Sequence, residues 1–285
     1  MRSTHSLLSP FKLCYHDRMK QAKEIVEKAD VLLITAGAGM GVDSGLPDFR
    51  GVEGFWKAYP VVKDLGLRFE EMANPKWFTQ EPTLAWAFYG HRLNLYREST
   101  PHSGFTKLLE IAKSKDAYFV FTSNVDGQFQ KAGFDPNRIV EVHGSIHHFQ
   151  CQNNCNGAIW EADKTPIMID EKKFQAKEPL PSCPYCNALA RPNILMFGDY
   201  DWLSYKTDIQ SNRLQHFLDT IMIEKKTLAI IEFGAGESVP TVRVFGEQIS
   251  KMPNATLIRV NPRDNQVPSG NISLALAAKE MIEGL

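Results

Sequence analysis

Several apolar runs in this sequence end in residues that could bind or activate a ligand. The first run, residues 31–34, leads into a stretch with almost no side chains: Gly37, Ala38 and Gly39. Backbone N–H groups in such a stretch can approach a phosphate closely. Residues with functional side chains come next: Ser44, Asp48, Phe49 and Arg50. The segment 31–51 therefore predicts a dinucleotide site, and a plain glycine-rich turn between a strand and a helix is the alternative.

The next two apolar runs end in residues suited to acid–base chemistry. Asn124 and Asp126 follow residues 117–122, and His143 follows residues 139–142. Open α/β sheets bind ligands just beyond the carboxyl ends of their strands, and a histidine there can act as a base near neutral pH. The alternatives are an Asx-type turn that caps the next helix and a hydrogen-bonded structural histidine.

Two later apolar runs repeat this arrangement. Residues 227–233 lead into Gly234, Ala235 and Gly236, with Ser238 close behind, and residues 255–260 lead into Asn261. Because parallel strands bring their carboxyl ends to one edge of a sheet, these loops are expected to share a site with the earlier ones.

Four of the five cysteines form two close pairs that predict a metal site: Cys151, Cys155, Cys183 and Cys186. Two pairs at this spacing are typical of a closed, tetrahedral, structural zinc site, and disulfides or free thiols are the alternative. Cys14 stands apart. Such cysteine usage indicates a reducing compartment, and we expect an intracellular, cytoplasmic protein.

Strands that alternate with helices must position these residues. Amphipathic helical patterns separate the apolar runs, as at residues 205–224, and this alternation predicts a parallel sheet with right-handed crossovers. The aromatic-rich segment 51–100 predicts a helical insertion over the site, with most of its aromatic rings in the core. Residues 191–199 are expected to return to the main domain as a further strand. The predicted fold is α/β: a Rossmann-like parallel sheet with helices on both faces, plus a small zinc-binding module and a helical insertion.

The predicted division of the chain follows from these patterns. Residues 1–18 form an N-terminal extension, for which a targeting segment is the alternative. The Rossmann-like domain covers residues 19–147 and 190–285, with the helical insertion at 51–100. The zinc-binding module covers residues 148–189.

Composition limits the classes of partner. The 285 residues carry a net charge of −1, which gives no overall attraction to nucleic acid, so no direct nucleic-acid binding is expected. An apolar run of the ~20 residues needed to cross a bilayer is missing, so no membrane partner is expected either.

The combination of motifs resembles the sirtuins, the Sir2 family of NAD-dependent protein deacylases, over nearly the whole chain from about Ala22. Residues 37–39 with 44–51 look like the first NAD motif of that family, and residues 122–127 are similar to its Thr-Gln-Asn-Ile/Val-Asp motif. His143 and Gly144 resemble its catalytic His-Gly, and residues 197–199 resemble its Phe-Gly-Glu. The four cysteines fall where its zinc module lies.

The resemblance implies an NAD-dependent protein-lysine deacylase that cleaves NAD to nicotinamide and forms O-acyl-ADP-ribose. It implies that His143 is the general base, that Asn124 and Asp126 act catalytically at the nicotinamide end, and that an acyl-lysine protein or peptide is the partner. The cofactor contacts it implies are Gly37, Ala38, Gly39, Ser44, Asp48, Phe49, Arg50, Asn124, Asp126, Gly234, Gly236, Ser238 and Asn261. The zinc would be structural, held by Cys151, Cys155, Cys183 and Cys186.

The chain departs from the family pattern at several positions. Residues 234–236 replace a Gly-Thr-Ser, and Arg263 stands where an acidic residue is usual. Residues 200–202 replace a Leu-Pro in the peptide-binding stretch. Lys57 and Tyr59 do not match the spacing of the Tyr and Arg pair that some members use for negatively charged acyl groups. Two alternative functions remain open: ADP-ribosyl transfer or NAD hydrolysis on the same fold, and a catalytically quiet NAD-binding module.

Overall fold

The structure is a computed structural model that describes residues 10–48, 51–162 and 167–285, without the side chains of 10–15 and 51–53. Its strands are β1 (Val31–Ala36), β2 (Ala117–Thr122), β3 (Ile139–Glu141), β4 (Gly144–Cys151), β5 (Ile159–Glu161), β6 (Ile169–Asp170), β7 (Gln175–Ala176), β8 (Ala190–Ile194), β9 (Leu228–Phe233), β10 (Ala255–Val260) and β11 (Ile272–Leu274). Its helices are α1 (Pro10–Lys28), α2 (Gly51–Ala58), α3 (Pro60–Asp64), α4 (Phe69–Met72), α5 (Trp77–Gln80), α6 (Pro82–Glu98), α7 (Ser103–Lys113), α8 (Gln128–Lys131), α9 (Tyr205–Glu224), α10 (Thr241–Ile249) and α11 (Ala278–Gly284). Short 3₁₀ turns cover Ala38–Ser44 and Pro136–Arg138.

The main sheet has six strands in the order β11-β10-β9-β1-β2-β3, and every neighbouring pair is parallel. In the ladder between β1 and β9, Val31 pairs with Leu228 and Ala36 pairs with Phe233. The carboxyl ends of these strands therefore lie side by side. The predicted α/β fold with a parallel sheet is confirmed.

Alternate residues of β1 pack into the hydrophobic cores on the two faces of the main sheet. Leu32 and Ile34 pack with α1, α7 and α11 on one face, whereas Val31 and Leu33 pack with α9 and α10 on the other. This period of two follows from strand geometry, and burial of each such side chain contributes roughly 1.5–3 kcal/mol. An all-apolar run is thus the expected signature of a strand that is covered on both faces.

The smaller, antiparallel sheet has the order β5-β4-β8. The prediction that residues 191–199 join the main domain as a strand is wrong, because β8 pairs with β4 through contacts such as Cys151 with Ala190. Pro192 in β8 lacks the N–H that an interior strand of the main sheet would need. Beyond β8 the chain is not a strand: the N–H of Leu195 donates to the His143 carbonyl, and that of Phe197 to the Ala73 carbonyl.

The predicted helical insertion corresponds to α2–α6, which pack against the small sheet. Trp86 of α6 donates its Nε1–H to the Ala190 carbonyl at 3.0 Å, and its ring lies 5.1 Å from that of Phe149. Phe55 and Phe88 are also fully buried in this cluster. The prediction that most aromatic residues of this segment are core residues is confirmed, and the domain limits remain a prediction.

The first helix includes residues that were predicted to belong to the N-terminal extension. It starts at Pro10 and runs through Met19, near which the folded domain was expected to begin. Residues 1–9 lie outside the described part of the chain. None of the helices within that part has the length and apolar character to cross a bilayer.

Candidate active site

The loops after β1 and β9 interlock at the edge of the main sheet. The N–H of Gly37 donates to the Phe233 carbonyl at 2.9 Å, and the N–H of Gly39 donates to the Gly234 carbonyl at 3.1 Å. A Cβ on Gly37 would meet the Cα of Ala235 at 2.8 Å. Gly234 has a φ of +57°, and a Cβ there would meet the Gly39 backbone and the Met40 nitrogen. Glycine is therefore needed at Gly37 and Gly234 for the two loops to touch.

Asn124 is held against the first of these loops. Its Nδ2 donates to the Gly37 carbonyl at 3.0 Å, and its backbone N–H donates to the Thr122 hydroxyl at 3.0 Å. The Thr122 hydroxyl in turn donates to the Ala36 carbonyl at the end of β1. The amide side chain of Asn124 thus has a fixed orientation at the junction of β1 and β2.

Asp126 is a buried carboxyl two residues further along. Burial raises its pKa to about 6, although the Gln128 N–H donates to its Oδ1 at 2.9 Å and the charge of Arg92 acts in the opposite direction. The Asp126 carbonyl lies 2.9 Å from Nε2 of His147. Asp126 therefore has the raised pKa that is characteristic of functional carboxyls, while its hydrogen bond also fits the Asx-type turn.

His143 lies just after β3, facing the same space. Burial lowers the pKa of its imidazole, and a ring hydrogen bond to the Ser123 backbone partly offsets this effect. Its Nε2 is 3.4 Å from the Thr241 hydroxyl at the start of α10. The imidazole is therefore neutral at physiological pH and able to accept a proton.

Glu141 is a second buried carboxyl in this region, which sequence reasoning missed. Burial raises its pKa to about 7, hydrogen bonds to Gln130 and Ser145 lower it, and the charge of Asp126 raises it further. Its position in a short strand, two residues before His143, resembles an ordinary strand residue, so the sequence offered no signal.

A cavity of about 810 Å³ opens at this edge of the sheet. Its size is within the range of small-molecule and cofactor sites. Among the predicted site residues it is lined by Gly37, Ala38, Asp48, Asn124, Asp126, His143, Gly234, Gly236 and Ser238.

The other predicted residues lie beside this cavity or outside the described chain. Gly39 lines a smaller, adjoining cavity of about 320 Å³. The Ser44 hydroxyl donates to Gln128 Oε1 at 2.8 Å, outside the cavity lining. The Asn261 amide donates at 2.9 Å to the carbonyl of Ala235, which lines the cavity. Phe49 and Arg50 fall outside the described residues.

Tyr89 and Arg92 of α6 line the cavity, and sequence reasoning missed both. Both side chains are buried, and the Arg92 Nε–H donates to the Tyr96 hydroxyl at 3.1 Å. Within the described chain the buried Tyr89 hydroxyl has no hydrogen-bond partner. Arg92 also lies over the rings of Phe88 and Tyr89, at 5.3 and 5.7 Å. An arginine inside an aromatic helical segment is the signal that could have indicated this pair.

The four cysteines meet in one cluster. The Sγ atoms of Cys151 and Cys186 are 3.6 Å apart, as are those of Cys155 and Cys183, and all four sulfurs lie within 4.8 Å of one another. A tetrahedron with Zn–S bonds of about 2.3 Å has edges of about 3.8 Å. The donor set and its spacing therefore fit a four-thiolate zinc ion.

Comparison with known proteins gives a consistent result. A profile described as the Sir2 family matches residues 37–223. An NAD-dependent protein deacylase of Leptospira interrogans serogroup Icterohaemorrhagiae serovar Lai is 31% identical over 255 residues, which is 89% of each chain. A solved Sir2 homologue in complex with NAD is 27% identical, with a TM-score of 0.67 over 93% of this chain and 91% of its own. A Sir2 homologue in complex with 2′-O-acetyl ADP-ribose is 26% identical, with a TM-score of 0.65 over 93% of this chain and 94% of its own.

Proposed function

Since the chain belongs to the Sir2 family, we propose that its main cavity is the site of NAD-dependent removal of acyl groups from lysine side chains. The protein is an NAD-dependent protein deacylase, and its substrates are acyl-lysine proteins. The observation that carries the assignment of the site is the meeting of Asn124, Asp126 and His143 with two interlocked glycine loops around one cavity.

The residues around the cavity fit a dinucleotide. Gly37, Ala38 and Gly234 line the space that a pyrophosphate would occupy and carry no side chains large enough to fill it, and Gly236 and Ser238 extend this wall. Asp48 lines the same cavity and lies 3.5 Å from the Arg263 guanidinium across it. NAD would thus be held between the loops after β1 and β9, with the loop after β10 closing one side.

When bound, NAD supplies an electrophilic ribose carbon whose leaving group is nicotinamide. Asn124 has a fixed amide and Asp126 a buried carboxyl, so together they can bind and orient the nicotinamide end without rearrangement. His143 is neutral and accepts a proton from a ribose hydroxyl, which allows the acyl group to move from lysine to the sugar. The products would be nicotinamide, free lysine and O-acyl-ADP-ribose.

Two buried side chains in the cavity indicate which acyl groups it would accept. Arg92 brings a positive charge to the cavity, and Tyr89 brings a buried hydroxyl with no partner in the described chain. Such a pair suits an acyl chain that ends in a carboxylate, because guanidinium and hydroxyl groups both donate to it. We therefore infer that negatively charged acyl groups are preferred over acetyl.

The zinc ion has a structural role in this proposal. Its four thiolates would close the segment between β4 and β8 and would leave no coordination position for water. Because β4 begins directly after His143, a rigid small sheet also fixes the chain that carries the base.

One experiment separates the deacylase reaction from the two alternatives. The protein is incubated with NAD and acetyl- and succinyl-lysine peptides, and nicotinamide and peptide mass are followed together. We expect nicotinamide release that depends on the peptide and matches the loss of the acyl group. Release with ADP-ribose attached to protein would instead indicate transfer, and NAD binding without turnover would indicate a quiet module. The presence of His143 in the cavity favours deacylation, since transfer needs no base for acyl migration.

The cysteines and the net charge bear on the location and the partners of the protein. The four cysteines are free thiols grouped for a metal, which supports a reducing cytoplasmic location. The net charge of −1 supports the absence of direct nucleic-acid binding.

A further inference from the structure

Arg243 connects two loops that line the cavity. It is the third residue of α10 and is 8% exposed. Its Nη1 donates to the Asp264 carbonyl at 2.6 Å and to the Ala235 carbonyl at 3.4 Å, while its Nη2 donates to the Gln266 carbonyl at 3.3 Å. A single buried cation thus holds carbonyl groups from the loop after β9 and from the loop after β10.

Both loops contribute directly to the cavity wall. Residues 234–239 of the first loop line it, as do Arg263 and Asp264 of the second. Neither Ala235 nor Gly236 carries a side-chain donor, so this part of the wall must bind a ligand through its backbone. The orientation of the peptide groups therefore decides what the wall can bind.

The peptide between Ala235 and Gly236 has a fixed orientation. Its carbonyl accepts hydrogen bonds from both Arg243 and the Asn261 amide, the latter at 2.9 Å. In a trans peptide the C=O and the following N–H point in opposite directions. The Gly236 N–H is therefore directed away from Arg243, and Gly236 itself lines the cavity.

We propose that Arg243 is a positioning residue for NAD, which holds the loops after β9 and β10 so that the Gly236 N–H faces the cofactor. This inference rests on the proposed function, in which NAD occupies the cavity. Charge-assisted hydrogen bonds to carbonyl groups are about twice as strong as neutral ones, so one guanidinium can fix two loops. Without it, NAD binding would have to order both loops and would be weaker by the cost of that ordering.

The test compares Arg243→Met and Arg243→Lys with the unchanged protein by calorimetric titration with NAD and with ADP-ribose. We expect Arg243→Met to raise the Kd of both ligands at least about tenfold, which corresponds to ~1.4 kcal/mol. Arg243→Lys keeps the charge but donates from one atom, so its Kd should lie between that of the unchanged protein and that of Arg243→Met. Added guanidinium ion carries the donors that Arg243→Met removes, so it should restore part of the affinity of that variant.

Arg138→Met is the matched control. Arg138 also donates to a backbone carbonyl, that of Tyr118 at 3.3 Å, but at the amino end of β2, away from the cavity. Its loss should lower the thermal midpoint without changing the Kd for NAD.

The possible results distinguish failure of the proposed function from failure of the role of Arg243. If the unchanged protein binds neither NAD nor ADP-ribose, the proposed function fails. If it binds both ligands and Arg243→Met binds them equally well, only the role of Arg243 fails, even where its thermal midpoint has dropped. The same conclusion follows if guanidinium ion has no effect on a weakened variant, or if Arg243→Met does not fold and Arg243→Lys binds NAD like the unchanged protein.

Discussion

At the scale of single residues, the buried carboxyl of Asp126 lowers the stability of the folded protein, whereas the proposed function requires it in the cavity. Its carboxyl is buried beside the cavity, so its pKa lies about two units above the usual 3.8. In the proposed function, this destabilising carboxyl lies where its charge would help to bind the nicotinamide end. Functional sites commonly depart from the most stable choice in this way.

Replacement of Asp126 by asparagine is expected to remove activity. The Asp126→Asn side chain keeps the shape and the oxygen that accepts from the Gln128 N–H, but it loses the negative charge. We expect kcat/KM for an acyl-lysine peptide to fall at least about a hundredfold. Activity within a fewfold of the unchanged protein would remove Asp126 from the mechanism.

The same variant is expected to gain stability at neutral pH. The folded-state pKa of Asp126 is raised, so between pH 3.8 and about 6 the unfolded chain loses its proton while the folded protein keeps it. The free energy of unfolding therefore falls as pH rises through this window, by up to roughly 3 kcal/mol from this group. Denaturant unfolding at pH 5 and pH 7.5 should show that the free energy of unfolding of Asp126→Asn exceeds that of the unchanged protein by an amount that grows with pH. A difference in free energy that does not change with pH would contradict the effect of burial on the Asp126 pKa.

Arg92 should decide which acyl groups are used. Arg92→Met keeps a long apolar chain beside Phe88 and Tyr89 but removes the charge from the cavity. We expect kcat/KM for a succinyl-lysine peptide to fall at least about a hundredfold, with a much smaller change for an acetyl-lysine peptide. Equal losses on both peptides would indicate a purely structural role.

A matched control for this experiment lies on the same helix. Arg97 of α6 donates to the Ala162 carbonyl and does not line the cavity. Arg97→Met should leave the ratio of the two activities unchanged.

Sequence reasoning expected several residues at one edge of the sheet because each follows an apolar strand, and the structure brings them to one cavity. Asn124, Asp126 and His143 stand at strand ends, and parallel strands bring their ends to one edge. Tyr89 and Arg92 were missed because α6 reaches the cavity from the side, and the helical pattern alone does not tell which face of the helix will line the cavity. The arginine within an aromatic segment was the one usable signal.

At the scale of elements, the loops after β1 and β9 touch through their backbones. Gly234 adopts a left-handed conformation, and its Cα lies against the backbone of the other loop. A Cβ at this position would approach the Met40 nitrogen to 2.7 Å. Backbone cannot move aside as a side chain can, so the two loops would have to separate.

Gly234→Ala is therefore expected to lower both stability and NAD binding. The left-handed conformation alone costs about 1–2 kcal/mol for a residue with a Cβ, and the clash adds to it. Gly270→Ala is the matched control, because Gly270 also has a positive φ but nothing within 4 Å of an added Cβ. Thermal unfolding should show a clearly larger loss for Gly234→Ala than for Gly270→Ala; similar losses would mean that the loops separate easily.

The sequence pattern did not predict which sheet β8 joins. All five of its residues are buried, although Arg191 and Asn193 are polar. What decides its sheet is the pairing with β4 next to the cysteine cluster, as in the match of Gln150 with Arg191. Such pairing depends on residues distant in sequence, which a pattern along the chain does not contain.

At the scale of the whole molecule, the cysteine cluster should stabilise one part of the structure more than the rest. Removal of zinc by a chelator is expected to expose residues 152–189 to protease, whereas the six-stranded sheet stays protected. Metal analysis, limited proteolysis and mass spectrometry would follow this. Unchanged digestion after complete zinc loss would contradict a structural role.

The fifth cysteine supplies the control for the metal count. Cys14 lies far from the cluster in sequence, so Cys14→Ser should retain a full equivalent of zinc, while Cys183→Ser should lose it. Zinc retained at full level in Cys183→Ser would show that the metal lies elsewhere.

The pairing of β1 with β9 has a consequence for synthesis on the ribosome. Val31–Ala36 emerges early, but its neighbour Leu228–Phe233 emerges only about 200 residues later, which takes about 10–40 s at the usual rate of translation. During that time one edge of this largely apolar strand has no native neighbour, and unpaired apolar edges promote aggregation. We therefore expect the nascent chain to be prone to association until β9 has left the exit tunnel. The yield of folded protein should rise when the chain is translated faster or at a lower concentration of nascent chains.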